Sequence, residues 1–189
     1  MKNISHLKIV TIRNQNWWVN SEPSGLYTKM LKQMLNQLFI MLEYHSKVHV
    51  IRIDLRLKTF TPKNEIITKF NRLLFTWLKK KYAFKRIGFC WTREQEKAKQ
   101  QHYHYVLILN GQLIKFPEKV INKAGEIWDE IGGSHHKPEN CYYNIHRGGH
   151  EALQSAIYRI SYFAKGRGKG YRPPQTKDYS TSRINPKIV

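Results

Sequence analysis

The chain has 189 residues, a length that suits one domain with a buried core, and its hydrophobic share of 41% argues against a disordered basic tail. Lysine and arginine number 33 against 13 aspartate and glutamate residues, which gives a formal net charge of +20. This surplus favours a polyanionic partner, and nucleic acid fits it better than the alternative, an anionic membrane. The longest apolar runs are far too short to span a bilayer.

The start of the chain lacks the continuous apolar stretch of a signal peptide. Cys90 and Cys141 are the two cysteines, and neither belongs to a CxxC motif. Both observations are typical of a cytoplasmic protein with reduced thiols.

The first half of the chain predicts two helices around a strand. Residues 1–22 read as irregular apart from a short strand at 7–12. Apolar residues then recur at helical spacing from 24 to 44, which predicts an amphipathic helix. Residues 48–57 alternate between apolar and polar types and predict a strand with one buried and one polar face. A threonine and a proline at 61–62 predict the start of a helix that continues to about 81.

The second half predicts a hairpin followed by further helices. The hairpin strands are 86–94 and 102–109, joined by a polar loop. The remaining elements are helix 117–131, strand 141–146, helix 150–165 and a polar tail predicted as loop. The order predicts an α+β fold in ferredoxin-like style, with a central antiparallel sheet flanked by helices. We expect residues 1–47 to be an extension that carries the first helix and residues 48–189 to be the main domain.

Two histidines begin the second hairpin strand on one face. His102 and His104 are one residue apart, so both side chains point to the same side. With the loop centred near 97–98, Glu94 lies opposite His102 and Thr92 opposite His104. A shift of one residue would remove Glu94 from this face and leave Gln95 or no ligand.

Two imidazoles and one carboxylate predict a three-ligand metal site with open positions, as catalytic sites have. Glu96 is the alternative to Glu94 as third ligand. The same donor set also serves iron oxygenases and zinc hydrolases, so it does not identify the metal. Asp54, on the polar face of strand 48–57, is expected to orient an arginine.

The last predicted helix carries Tyr158 and Tyr162 four residues apart, hence on one face, with Lys165 three residues further on. A tyrosine hydroxyl can attack a phosphodiester and form a covalent phosphotyrosine. A neighbouring lysine can hold the phosphate or ease loss of the phenolic proton. Aromatic residues at this spacing are also typical of a packed core, which is the alternative interpretation.

The two sites together resemble those of the HUH endonucleases, which nick single-stranded DNA to start rolling-circle replication or to mobilise DNA. The shared pattern is a His-hydrophobic-His strand, with Tyr103 in the hydrophobic position, an acid on the preceding strand, and a helix with Tyr-x-x-Lys. More narrowly, residues 48–183 are similar to the inovirus replication-protein family, also called the YagK/YfjJ C-terminal domain family. The similar segments are IRIDLR at 51–56, WTRE to HYHYVLILNG at 91–111, Trp128, SYFAK at 161–165 and DYSTSR at 178–183.

This resemblance implies an enzyme of a bacterial host cell that serves a phage, plasmid or prophage element. Tyr162 would be the nucleophile with Lys165 beside it, and His102, His104 and Glu94 would hold Mg²⁺ or Mn²⁺. Some initiators of this group carry two tyrosines spaced in this way, which makes Tyr158 a candidate second nucleophile. The implied partners are origin single-stranded DNA and a host helicase and polymerase.

Basic and aromatic residues around these motifs are the candidate DNA contacts. The expected phosphate-binding side chains are Arg52, Arg56, Arg167, Lys169 and Arg172. The candidates for stacking on bases are Trp17, Trp18 and Tyr171. Two other functions remain open: a non-catalytic regulator that binds nucleic acid through charge alone, and a metal oxygenase or hydrolase acting on a small molecule. The second alternative needs no +20 surface.

Overall fold

A computed structural model describes residues 3–95 and 100–188 of the chain. These residues form four α-helices: α1 (Thr28–Tyr44), α2 (Glu65–Tyr82), α3 (Glu118–Glu130) and α4 (His150–Ser161). α4 continues directly into a short 3₁₀ helix at Tyr162–Ala164. None of the helices in the described ranges combines the length and apolar character that a bilayer crossing needs.

The strands within the described residues form three antiparallel sheets. In chain order they are β1 (Ile4–Ser5), β2 (Ile9–Ile12), β3 (Gln15–Trp18), β4 (Leu26–Tyr27), β5 (Lys47–Leu57), β6 (Gly88–Glu94), β7 (His102–Asn110), β8 (Gly133–His136), β9 (Tyr142–His146) and β10 (Tyr179–Thr181). The main sheet has the order β10-β6-β7-β5-β8, and β9 pairs with another part of β5. β2 forms a hairpin with β3, while β1 pairs with β4. The predicted α+β class with an antiparallel sheet is confirmed.

Helices cover both faces of the main sheet. Odd-numbered residues of β5 and β7, such as Ile53 and Tyr105, pack in one apolar cluster with α2 and α3. Even-numbered residues near the opposite ends of these strands, such as Val50 and Ile108, pack in a second cluster with α1 and α4. Burial of apolar side chains on two faces makes the sheet the centre of the molecule.

The predicted polar face of β5 exists along only half of the strand. Val48 and Val50 are buried under α1 and α4, whereas the polar residues of the same face follow from Arg52 onward. These residues lie beside the start of β7, where Asp54 pairs with His104 and Arg56 with His102. The polar half of this face is therefore the part of the sheet where the candidate site forms.

Two helices begin later than predicted because local contacts use the preceding residues. α1 begins at Thr28, since Gly25 adopts a φ of +66° and the next two residues form β4. α2 begins at Glu65, because the backbone N–H of Thr61 donates to Oε1 of Gln101 at 2.9 Å. The segment before α2 is thus tied to the hairpin that carries the histidines.

Several short strands were not predicted. Besides the expected strand near residues 7–12, the N-terminal segment contains β1, β3 and β4, and the tail expected to be loop contains β10. β10 pairs with β6 at the edge of the main sheet, and its three residues are all half-buried. An edge strand that is polar and short lacks the apolar alternation on which strand prediction depends.

The segment expected to be an N-terminal extension packs into the core. Met34 and Leu38 of α1 are fully buried in the cluster that also contains Val50 of β5, and Trp17 of β3 joins it. The backbone N–H of Asn20 donates to Oγ of Ser161 at 2.8 Å, which connects this segment to the end of α4. The expected boundary at residue 47 therefore coincides with no break in the packing.

Candidate metal and nucleophile site

The hairpin places two imidazoles and a carboxylate together, as its sequence predicts. β6 and β7 pair in the predicted register, with Glu94 opposite His102 and Thr92 opposite His104. Oε2 of Glu94 lies 3.4 Å from Nε2 of His104 and 3.7 Å from Nε2 of His102. The potential ligand atoms of these three residues all lie within 4.8 Å of one another, a spacing that a metal ion could bridge.

Asp54 fixes the orientation of the central histidine. Nδ1 of His104 donates to Oδ1 of Asp54 at 2.8 Å, which directs Nε2 toward Glu94. Burial alone would lower the pKa of His104, but the adjacent Asp54 and Glu94 carboxylates outweigh it and raise the pKa. Nε2 is buried and has no hydrogen-bond partner among the described residues. An orphaned ring nitrogen beside a carboxylate fits the coordination of a divalent ion.

Asp54 also holds the arginine that its position predicts. Nε and Nη2 of Arg52 donate to the two carboxylate oxygens of Asp54 at 3.1 and 3.0 Å. Although burial opposes ionisation, these hydrogen bonds and the one from His104 lower the pKa of Asp54 to about 2. The carboxylate therefore stays ionised and joins the guanidinium to the histidine.

Lys169 is part of the site interior, contrary to the prediction that it binds DNA phosphates. Its side chain is fully buried, and Nζ donates to Oε1 of Glu94 at 2.6 Å. Burial raises the pKa of Glu94, but the two histidines and Lys169 more than offset this, so the pKa is strongly lowered. One carboxylate oxygen is thus held by the ammonium while the other faces the imidazoles.

The backbone beside Lys169 approaches Glu94 closely. Gly168 has a φ of +74°, and a Cβ there would lie 3.2 Å from Oε2 of Glu94. Its carbonyl accepts a hydrogen bond from the N–H of Gln95 at 2.9 Å. Glycine supplies both the backbone conformation and the space that this approach requires.

Tyr162 lies directly against the histidine site. α4 ends at Ser161, and the 3₁₀ helix that follows places the Tyr162 ring centroid 5.4 Å from that of His104, at an interplanar angle of 76°. The next residue, Phe163, is buried in the core and stacks on His104 with a centroid separation of 5.3 Å. Phe163 therefore provides the packing, while Tyr162 is only half-buried and remains at the site.

A small cavity joins these groups. Its volume is about 170 Å³, and its lining includes Glu94, His102, Tyr162, Lys165 and Arg167. Nζ of Lys165 lies 4.9 Å from the Tyr162 ring centroid. Burial raises the pKa of Tyr162, with a smaller contribution in the same direction from Glu94, and burial lowers that of Lys165.

The other predicted DNA contacts differ in how far they are exposed. Arg56 and Arg167 are exposed. Arg172 donates from Nε and Nη2 to the two carboxylate oxygens of Asp178 at 2.8 and 3.0 Å, which makes it part of the tail's own structure. Arg52 is buried beside Asp54, and its guanidinium carbon lies 5.5 Å from the Tyr162 ring centroid.

The aromatic candidates separate in the same way. Trp17 is only 1% exposed and cannot stack on a base, whereas Trp18 and Tyr171 are exposed. Tyr158 is also exposed and, among the described residues, lines a neighbouring cleft with Tyr162 rather than the small cavity. Glu96, the alternative third ligand, lies outside the described residues.

Sequence reasoning named Asp54 and Lys169 but missed the contacts that make them part of the site. The bond between Asp54 and His104 depends on pairing of β5 with β7, which are not consecutive in the chain. The pairing of Lys169 with Glu94 depends on a glycine-rich segment that the sequence marks only as the end of a helix. The IRIDLR pattern already placed Asp54 on a polar strand face. What the sequence did not show was that β5 lies beside β7, which brings Asp54 opposite His104.

Comparison with known families places this chain in one of them. Residues 11–179 match the model of the YagK/YfjJ C-terminal domain family. The chain belongs to this family. No curated protein and no solved structure matches the chain.

The family match confirms the narrower of the two resemblances. The match to the YagK/YfjJ C-terminal domain begins at residue 11. From the sequence alone, the similarity is expected to begin only at residue 48. The matched region includes the β2–β3 hairpin and α1, the elements that pack into the core and connect to the end of α4. The YagK/YfjJ domain thus includes most of the segment before β5, from residue 11 onward.

Proposed function

We propose that this protein is a metal-dependent endonuclease of the HUH type that nicks and rejoins single-stranded DNA through Tyr162 and thereby starts rolling-circle replication. The observation that carries the proposal is the position of the Tyr162 ring, 5.4 Å from the ring of His104 and at the edge of the cavity lined by Glu94 and His102. An antiparallel sheet between helices, with the histidines on an inner strand, agrees with the ferredoxin-like arrangement that such enzymes use.

The chain's own residues supply the nucleophile and its surroundings. The hydroxyl oxygen of Tyr162 attacks the scissile phosphorus and loses its proton, the P–O3′ bond breaks, and the departing 3′ oxygen takes up a proton. The protein is left joined to the 5′ phosphate, and a free 3′-hydroxyl remains for a polymerase to extend. Attack by this hydroxyl in the reverse direction rejoins the strand and releases the tyrosine.

Positive groups around the ring assist this step. Lys165 and Arg167 line the cavity and provide charge for a phosphate there. Arg52 opposes the increase in the pKa of Tyr162 that burial causes. The negative charge that develops on the phenolic oxygen as it loses its proton, and then on the phosphate oxygens as the new bond forms, therefore meets a cationic environment that lowers its energy.

His102, His104 and Glu94 are the residues that would hold the ion, and Asp54 and Lys169 orient two of them. Mg²⁺ or Mn²⁺ bound there would polarise a non-bridging phosphate oxygen. Imidazole ligands suit Mn²⁺ better than Mg²⁺, because Mg²⁺ prefers an all-oxygen shell. Mn²⁺ is therefore the first ion to test.

The test is formation of a covalent protein–DNA adduct. A pool of random single strands labelled at the 3′ end is incubated with the full chain and Mn²⁺, because the 3′ fragment is the one that stays attached. We expect a labelled protein band on a denaturing gel that Tyr162→Phe abolishes and that Tyr142→Phe, at an exposed tyrosine outside the site, retains.

Two results would contradict the proposal. An adduct of wild-type yield in Tyr162→Phe would exclude this nucleophile. Salt-sensitive binding with no cleavage under any divalent ion would favour the non-catalytic regulator, for which the +20 charge alone suffices.

A further inference from the structure

A second cleft adjoins Tyr162. Its volume is about 720 Å³, and its lining includes Trp18, Tyr158, Arg159 and Tyr162. Tyr162 thus contributes to both the small cavity and this cleft. A strand whose phosphate lies at Tyr162 would have its neighbouring nucleotide beside the cleft.

Trp18 is held in an exposed position by specific contacts. Its backbone N–H donates to Oε1 of Gln154 at 3.1 Å, and its carbonyl accepts from Nε2 of the same side chain at 2.9 Å. The preceding Trp17 is buried and stacks on His150 with a centroid separation of 5.2 Å. Because side chains alternate along β3, the Trp18 indole points outward and is 57% exposed.

The exposed indole is the kind of surface that a ligand covers. Leaving a large aromatic ring in water forgoes the free energy that its burial would release. The Gln154 side chain of α4 nevertheless fixes the Trp18 backbone through two hydrogen bonds. The hydrogen bond from Asn20 to Ser161 fixes the backbone two residues further on. The hairpin is therefore anchored to the helix that ends at Tyr162.

The remaining cleft residues suit a nucleotide. Tyr158 is 48% exposed and offers a second aromatic ring. Arg159 supplies positive charge, whereas Arg52 reaches the cleft with its guanidinium already paired to Asp54, and no carboxylate is present among the described residues that line the cleft. Aromatic faces beside arginines bind the bases of single strands, whereas paired bases in a duplex have no free face to offer.

We propose that this cleft binds an unpaired base of the DNA strand, at the nucleotide next to the scissile phosphate, with Trp18 and Tyr158 as its stacking surfaces. The inference rests on the proposed nickase function, since that reaction places a single strand across Tyr162. Tyr158 then contributes its ring to binding. Stacking of this kind also selects single-stranded over double-stranded substrate at the place of cleavage.

The test compares a thymidine strand of roughly 12 nucleotides with an abasic strand of equal length, a size within the range that single-strand sites cover. Binding to the full chain is followed by fluorescence anisotropy in EDTA, so that no cleavage occurs. We expect wild type to bind the thymidine strand at least about fivefold more tightly than the abasic strand. Trp18→Ala should lose most of this preference and Trp18→Phe should keep it.

Phe116→Ala is the matched control, because Phe116 is 69% exposed and lies outside the cleft. It should retain the wild-type preference. The salt dependence of binding should be the same in Trp18→Ala as in wild type, since no cation is removed. Equal binding of both strands by wild type, or an unchanged preference in Trp18→Ala, would overturn the proposal.

A second measurement locates the base directly. Strands containing 5-bromodeoxyuridine are photocross-linked and the modified peptides are identified by mass spectrometry. We expect cross-links to β3 or α4. Cross-links confined to other segments would contradict the proposal that this cleft binds the base. The binding and cross-linking experiments need no cleavage, so they test the base-binding cleft independently of the nickase. Absence of an adduct between wild type and DNA in Mn²⁺ would refute the nickase alone, and loss of the base preference would refute the cleft alone.

Discussion

His104 donates a hydrogen bond from Nδ1 to Asp54 at 2.8 Å, across two strands that are adjacent in the sheet but far apart in sequence. The bond leaves Nε2 directed at Glu94 and without a hydrogen-bond partner among the described residues. It also connects the predicted ligand set to Arg52, which contacts the same carboxylate. The orientation of the candidate metal ligand His104 and the position of the Arg52 guanidinium near Tyr162 therefore depend on one side chain.

Asp54→Asn should weaken Mn²⁺ binding by about 10- to 100-fold, because the asparagine no longer provides a carboxylate to hold the ring and its proton. Isothermal titration calorimetry measures this directly. Asp129→Asn is the matched control, since Asp129 contacts the Nδ1 atom of His135 at 3.3 Å on the surface. Equal Mn²⁺ affinity in wild type and Asp54→Asn would show that this contact does not support a metal site.

Lys169→Met should destabilise the metal-free protein by about 3 kcal/mol, because it removes the buried partner of Glu94. Urea unfolding in EDTA gives this value. Mn²⁺ should then stabilise the variant more than it stabilises wild type, since the ion would be the main remaining cation beside the carboxylate.

Lys123→Met is the control for Lys169→Met, because Lys123 forms an exposed pair with Glu126 at 2.8 Å. Its removal should change the free energy of unfolding by less than about 1 kcal/mol. If Lys169→Met proves as mild as Lys123→Met, the ammonium does not hold Glu94 in solution.

Tyr158 offers either a hydroxyl for chemistry or a ring for binding. We expect Tyr158→Phe to bind a thymidine strand as wild type does and Tyr158→Ala to bind it several-fold more weakly, as loss of a stacking surface predicts. Anisotropy titrations of both variants distinguish these roles. Loss of affinity in Tyr158→Phe would assign the contribution to the hydroxyl instead.

The hairpin was predictable because its information is local. β6 and β7 are consecutive in the chain and pair in the predicted register, and alternation along each strand then places Glu94, His102 and His104 on one face. The helical spacing around Tyr162 was equally local, although it did not distinguish Tyr162 at the site from Phe163 in the core.

The contacts that were missed come from distant segments. Asp54 reaches His104 because β5 lies beside β7, and local patterns do not specify which strands become neighbours. Lys169 looked like a surface cation because it stands among glycines and arginines, and only the fold of that segment over Glu94 buries it. The sequence did not distinguish Trp17 from Trp18 as a stacking residue. Because they are consecutive in β3, their side chains lie on opposite faces, and only Trp18 is exposed.

The most direct measurement of the central claim is to identify which residue carries DNA after cleavage. The adduct formed with Mn²⁺ is digested with a nuclease and a protease, and the peptide that bears a residual nucleotide is sequenced by mass spectrometry. The proposed mechanism predicts a phosphodiester on Tyr162. Attachment to Tyr158 or to a residue outside the site, with Tyr162 unmodified, would contradict it.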